Sequence, residues 1–430
     1  MGLHKTHPQE LDMKNENDVV VTGLGIVSPI GIGLEAFNQS LHDRKSGVKL
    51  RESFAESDWP FRIGGIIDDY DPKQYVKPRK SLKLMCREIQ FGFGAAQLAL
   101  ADAKLESDAI DPERAGVVCG SDSFYCDPDS ITDSYKRGDE IVTDVSDWIE
   151  LAMKSIEPLW MLKYLPNMIA SHIAISIDAR GPNNSIMQGD ASGLLALIEA
   201  ADVIRRGWAD VMITGGTGSK INPTYLAYHG TDNLAKPGED PTTACRPFDK
   251  NRTGTVCAEG AGMIVLERRS HAENRGAEIY GSLGAFDYGH SLSDKEKQIQ
   301  LVAQKIDGVI SKAGLTKDDI SHVNSYASGE VEADEIAAQG IQSALGQVGV
   351  TAYKSHFGDI GPAGATIETC AMLHALKSNV IPGTINYETP DENCPVNVIS
   401  EHLEQEQQAA IKLSSSVTGQ KVAVLFEAES

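Results

Sequence analysis

Two rhythms of apolar and polar positions alternate along the 430-residue chain. Short, unbroken apolar runs are those of strands buried on both faces. They predict strands at Val19–Thr22, Gly116–Cys119, Val211–Thr214, Met263–Leu266, Ile320–Ser325, Ala352–Lys354 and Lys421–Phe426. Between them lie stretches with a period near 3.6 residues, predicting helices at Glu88–Ala103, Ser192–Arg206, Asp334–Leu345 and Ala363–Lys377. Strands alternating with helices of this length give an α/β protein. Neither a solenoid repeat nor a low-complexity linker interrupts the pattern. The one shift in composition is the charged stretch Arg268–Gly276, which predicts the junction of two closely packed halves, 18–267 and 268–430. Residues 1–17 are polar and predict a disordered tail.

Composition narrows the function classes. Apolar residues make up 41% and charged residues 23%, as in a soluble globular protein. No window reaches the ~18 uninterrupted apolar residues of a membrane span, and the N-terminus lacks the apolar core of a secretory signal. Gly2 and Thr6 fit the loose myristoylation pattern, a match short enough to arise by chance. Seven cysteines stand singly, without a CxxC pair; the odd count speaks against a disulfide framework and for a reducing cytoplasm. A formal net charge of -22 repels nucleic acid and anionic membranes. No metal or cofactor motif is present.

Several segments in order resemble the β-ketoacyl-acyl carrier protein synthase family. The run from Val19 to Pro29 is similar to its opening strand and turn. Ala244-Cys-Arg-Pro-Phe-Asp249, Ala258-Glu-Gly-Ala-Gly262 and Val265-Leu-Glu267 are similar to its mid-chain signature, and Ile381-Pro-Gly-Thr-Ile-Asn386 to the strand before its final sheet. Gly181–Gly193, leading to Ala209–Gly216, fits the nucleophile region without a gap. The resemblance implies a thiolase-like, duplicated five-layer αβαβα architecture, usually dimeric. It implies no cofactor and no metal.

Members of that family carry the acyl chain on a cysteine at a helix N-terminus, where the dipole favours thiolate. Here Asp190 holds that position, ahead of a helix over Ala191–Arg206. A carboxylate is a poor acyl carrier, and the favoured reading is a plain N-cap. Using Gln188 instead would break the gapless match. The first family histidine is replaced by Tyr326 in Asn324-Ser-Tyr-Ala-Ser328, with Asp334 in register; we expect an aromatic plug. Lys354-Ser-His-Phe-Gly-Asp359 keeps the family's lysine but puts Asp359 at the second histidine, and Glu368 keeps a family glutamate. Lys354 and Asp359 are expected to form a structural ion pair. The glycine-rich gate is lost as well: Ser415, in Ser414–Gly419, stands where a gating phenylalanine belongs. His356 and Cys257 are expected to be packing residues rather than rescuers of catalysis.

Lys77, Arg79, Lys80, Lys83 and Arg87 place five cations in eleven residues of an acidic chain. The resemblance makes this a docking surface for an acidic acyl carrier protein; a solvated helix face is the equal alternative. The preserved scaffold around a lost Cys-His-His set implies a non-condensing partner of an active ketosynthase, similar to a chain-length factor, in fatty-acid or polyketide biosynthesis. Chain-length factors usually have glutamine where this chain has Asp190. The alternatives are a decarboxylase or hydrolase of acyl thioesters, with Asp190 as base if burial raises its pKa, and a homodimeric acyl-binding protein.

Overall fold

A computed structural model describes residues 18–52, 62–106, 110–236, 238 and 240–429; the expected tail at 1–17, with Gly2 and Thr6, lies outside the described residues. Among the described residues, twelve strands form one mixed sheet. In chain order they are β1 Val19–Ser28, β2 Gly31–Ile32, β3 Ala115–Gly120, β4 Asn183–Ile186, β5 Val211–Ser219, β6 Glu259–Arg268, β7 Gly281–His290, β8 Ile320–Asn324, β9 Gly349–Thr351, β10 Asn397–Val398, β11 Ala409–Ser415 and β12 Gln420–Glu427. The helices that cover them are α1 Arg87–Asp102, α2 Met168–Ser176, α3 Ser192–Arg205, α4 Lys295–Ala313, α5 Val331–Leu345 and α6 Gly364–Ser378.

The sheet reads as one pattern used twice. From β1 outward run β6, β5, β3 and β4, joined antiparallel, antiparallel, parallel and parallel. From β7 outward run β12, β11, β8 and β9 in the same sequence of senses, with β10 added in parallel. A short antiparallel contact at Val20 and Val21 with Ser282 and Gly281 joins the two copies. Helices α3 and α6 fill the middle layer, α1 and α2 cover one half, and α4 and α5 the other. This is the thiolase-like α/β architecture. The central helices are buried at most positions around their circumference, as a helix apolar on all sides must be.

All ten residues of β1 are buried, which explains its continuous apolar run. Its glycines permit the covering helix to lie on the backbone: a Cβ at Gly25 would sit 1.9 Å from the Ala95 carbonyl oxygen of α1. A second set of glycines builds the site. Added Cβ atoms at Gly193 of α3 and Gly216 of β5 would stand 2.4 and 2.3 Å from the Pro362 carbonyl oxygen. Only bare backbone lets the start of α3 and the turn before α6 meet.

Two local expectations change. The strand predicted at Ala352–Lys354 lies earlier, at β9, because the ladder ends there. Ala352 N–H turns to the Thr384 hydroxyl at 3.0 Å, and a short helix over Lys354–Phe357 follows. The strand predicted to end at Leu266 runs further. β6 continues to Arg268, and a helix over Arg269–Asn274 follows. Buried Glu267 accepts from Thr22, His271 and Arg275. Burial alone would raise its carboxyl pKa, but those donors outweigh it and hold the pKa at about 2.

Gly25→Val should therefore destabilise the fold well beyond the ~1–3 kcal/mol typical of overpacking, since the obstacle is backbone. Urea denaturation monitored by far-UV circular dichroism measures it; a midpoint unchanged from wild type would contradict the packing described.

Candidate functional site

Sequence-distant segments bring Asp190, Tyr326, Lys354, Asp359 and Ser415 to the wall of one cavity of about 310 Å³. Asp190 sits on a turn that closes on itself: Ser192 Oγ donates to the Gly189 carbonyl at 2.6 Å and accepts from Gln188 N–H at 2.7 Å. Ala191, not Asp190, is the N-cap, and it makes no side-chain cap bond. The expected N-cap role of Asp190 is thus corrected, because its carboxylate has turned away from the helix to meet a cation.

That cation is Lys220, which the sequence reading did not single out. Its ammonium lies 2.8 Å from Asp190 Oδ1 and 2.7 Å from Asp359 Oδ2. Lys354 Nζ reaches the other oxygen of Asp359 at 3.0 Å. Two carboxylates and two ammonium groups thus form a neutral quartet whose cations are only 12% and 6% exposed at the side chain. Ala258 holds two of its members by the backbone: its carbonyl accepts from Lys220 N–H at 2.9 Å, and its N–H donates to the Asp359 carbonyl at 2.9 Å. The mid-chain signature therefore registers the quartet.

The four groups respond differently to burial. Burial would raise the Asp359 carboxyl pKa, but Lys220 and Lys354 outweigh it and hold it well below the usual range. Asp190 is raised, first by burial and then by repulsion from Asp359. Burial works against both lysines, yet the carboxylates keep both firmly charged. Neither acid is a free base at neutral pH, because each already accepts from an ammonium.

Tyr326 is buried, with the Lys421 ammonium 5.5 Å from the ring centre. Ser415 ends β11, and its hydroxyl accepts from Lys421 Nζ at 2.7 Å. Glu368 stands behind the site rather than in it, fully buried and 2.6 Å from Lys412 Nζ; Lys412 also donates to Asn324 Oδ1 at 2.6 Å. Asp334 accepts from the N–H groups of Phe248, Ser328 and Gly329 and has its pKa pushed up to about 6 by burial. His356 is fully buried, with each ring nitrogen 3.0 Å from a carbonyl oxygen, those of Lys45 and Gly383. Burial raises the Cys257 thiol pKa to about 12, so it supplies no thiolate.

The basic cluster lies elsewhere. Lys77, Arg79, Lys80 and Lys83 are exposed around a 3-10 turn over Arg79–Leu84. Arg87 is committed to buried Glu259, to which it donates two hydrogen bonds at 2.6 Å.

The β-ketoacyl synthase N-terminal domain model matches residues 16–272 and the corresponding C-terminal domain model matches 277–388. The chain belongs to the β-ketoacyl synthase family. It is 31% identical to 3-oxoacyl-[acyl-carrier-protein] synthase 2 of Vibrio cholerae, over 89% of this chain and 91% of that protein. The fold is also that of a type II polyketide ketosynthase solved with its acyl carrier protein, bound to the hexaketide. That match has TM-score 0.83 and 26% identity, covering 96% of this chain and 99% of that one. The ishigamide ketosynthase/chain length factor shares the fold at TM-score 0.82 and 22% identity, covering 96% and 99%. Family membership places the chain in fatty-acid or polyketide biosynthesis.

Lys220 and Lys421 carried no motif, so the sequence offered only their position. Lys220 follows an apolar strand, and Lys421 opens one.

The quartet predicts an asymmetry. Asp359→Asn leaves buried Lys354 without its contacting carboxylate and Lys220 with Asp190 alone, and should cost about 3–5 kcal/mol, whereas Asp190→Asn removes a carboxylate whose charge is disfavoured and should cost about 1 kcal/mol or less. Because the folded pKa of Asp359 is depressed, its contribution is present above the unfolded value of about 4 and lost as pH falls below it. Chemical denaturation at pH 7 and pH 3 checks both points: the D359N deficit should shrink at the lower pH, and equal costs for the two variants at pH 7 would contradict the arrangement.

Proposed function

We propose that this chain is a non-condensing member of its family that serves as the partner subunit of an active ketosynthase, in the manner of a chain-length factor. One observation supports the reading: the Asp190–Lys220–Asp359–Lys354 quartet, with Tyr326 on the same cavity wall, occupies the positions that the family resemblance assigns to a thiolate and two imidazoles. A salt-bridged carboxylate is neither acyl carrier nor free base. The negative charge at Asp359 opposes the enolate that condensation generates. Tyr326 near neutral pH donates a hydrogen bond but accepts no proton as imidazole does. What the scaffold keeps is shape: a complete thiolase-like fold able to form one wall of a shared acyl tunnel.

The alternative chemistry, hydrolysis or decarboxylation with Asp190 as general base, draws support from its raised pKa. The bond to Lys220 weighs against it. Asp190→Asn should leave hydrolysis of malonyl and acyl thioesters unchanged from background.

For the partner role, we expect tagged chain purified from its native host to bring down, at one-to-one stoichiometry by intact mass, a β-ketoacyl synthase with Cys-His-His in place. A stable homodimer that ignores every co-expressed synthase would sink the proposal. Lys77, Arg79, Lys80 and Lys83 are proposed as the docking surface for acyl carrier protein. The triple charge reversal Arg79→Glu, Lys80→Glu and Lys83→Glu should weaken carrier-protein binding at least tenfold at low salt. It should also flatten the salt dependence of binding measured by fluorescence anisotropy. Unchanged affinity would return the cluster to a solvated surface.

A further inference from the structure

One buried amine in the cavity has no role in the quartet. Lys421, the second residue of β12, has only 5% of its surface exposed and lines the same 310 Å³ cavity. Its ammonium donates to the Ser415 hydroxyl at 2.7 Å and lies over the Tyr326 ring. Among the described residues no carboxylate stands within salt-bridge distance of it, unlike Lys220, Lys354 and Lys412, each of which touches an acid. Glu330, in the same wall, acts on it only across space. A desolvated lysine without a contacting anion is the environment in which an amine exists partly neutral and so becomes a nucleophile. Burial here lowers its pKa to about 8.

The charge of the cavity selects what such an amine could meet. Asp190, Asp359, Glu330 and Glu332 line it against Lys354 and Lys421. With Asp190 and Asp359 neutralised by Lys220 and Lys354, Glu330 and Glu332 outnumber Lys421, so a further anion gains little there while a neutral carbonyl meets no repulsion. The neutral carbonyl specific to this family's chemistry is the keto group of a 3-oxoacyl thioester.

We propose that Lys421 is a carbonyl-binding residue that forms a reversible Schiff base with the keto group of 3-oxoacyl thioesters. The neutral amine adds to the keto carbon, forming a C–N bond and a carbinolamine. The carbinolamine oxygen then leaves as water with the two amine hydrogens, giving the imine, and hydrolysis reverses the step. No oxidant or further reactant is consumed. This reading is independent of any partner synthase, so it stands or falls separately from the subunit role.

The test uses the full-length protein, acetoacetyl-N-acetylcysteamine and sodium cyanoborohydride, with peptide mass mapping of the reduced adduct. Reductive labelling of Lys421 at least tenfold faster than of exposed Lys83, saturating with thioester concentration, is the expected result. Lys421→Arg should abolish the adduct at that peptide while keeping the charge, with folding checked by its melting curve. Labelling of wild-type Lys421 no faster than Lys83 would overturn the proposal, whatever the variant does. So would equal labelling by butanoyl-N-acetylcysteamine, which has no keto group and would reveal plain aminolysis of the thioester.

Discussion

Two carboxylates share one buried ammonium at the centre of this protein, and much of the local structure follows from keeping them there. Asp190 precedes a helix in the first half of the sheet, and Asp359 precedes one in the second. They meet because glycines at 193, 216 and 218 let α3 and β5 touch the backbone of Ile360 and Pro362 directly. Like charges so placed repel, and burial withdraws the water that would screen them. Lys220 answers both at once, Lys354 completes the neutral set, and Ala258 fixes the backbone of Lys220 and Asp359 by hydrogen bonds. A bound anion in this position would have to compete with two carboxylates already in place.

That constraint separates two consequences of the altered catalytic positions. On the proposed reading, Asp190 in place of the cysteine removes the acyl carrier. On the same reading, Asp359 puts a carboxylate already claimed by two lysines where a family histidine would donate to the enolate. Replacing Tyr326 alone with histidine would restore one imidazole beside Lys421 but would leave the quartet intact.

The architecture was legible because it is written in patterns that repeat over many residues. The unbroken apolar runs of β1, β5, β6 and β12, and the helical periods of α1, α3, α5 and α6, needed no knowledge of long-range contacts. Boundaries were harder. Lys354 follows an apolar strand closely enough to be read as its last residue, yet the chain has left the sheet by Ala352 because Thr384, distant in sequence, takes its N–H. Within the site, Asp190, Tyr326, Lys354 and Asp359 were found by register against known motifs. Lys220 could not be found that way: its importance lies in a pairing across 139 residues with Asp359, which no local spacing encodes.

Lysines inside apolar strands were nonetheless a readable signal. Lys412 falls within the buried run Ala409–Ser415, and a charge there demands a buried partner. Glu368 on α6 supplies it, so the glutamate kept from the family has a structural cause in this chain: it neutralises the middle of a strand, while Asn324 takes a second proton of the same ammonium. Lys421 is the contrasting case. It too occupies a buried strand position, but its one close acceptor is a serine hydroxyl. Two lysines of similar burial and similarly lowered pKa thus have opposite meanings. Lys412 is locked by its carboxylate into holding α6 against the sheet, whereas Lys421 keeps an amine available at a cavity wall, and the difference lies in the partner rather than in the burial.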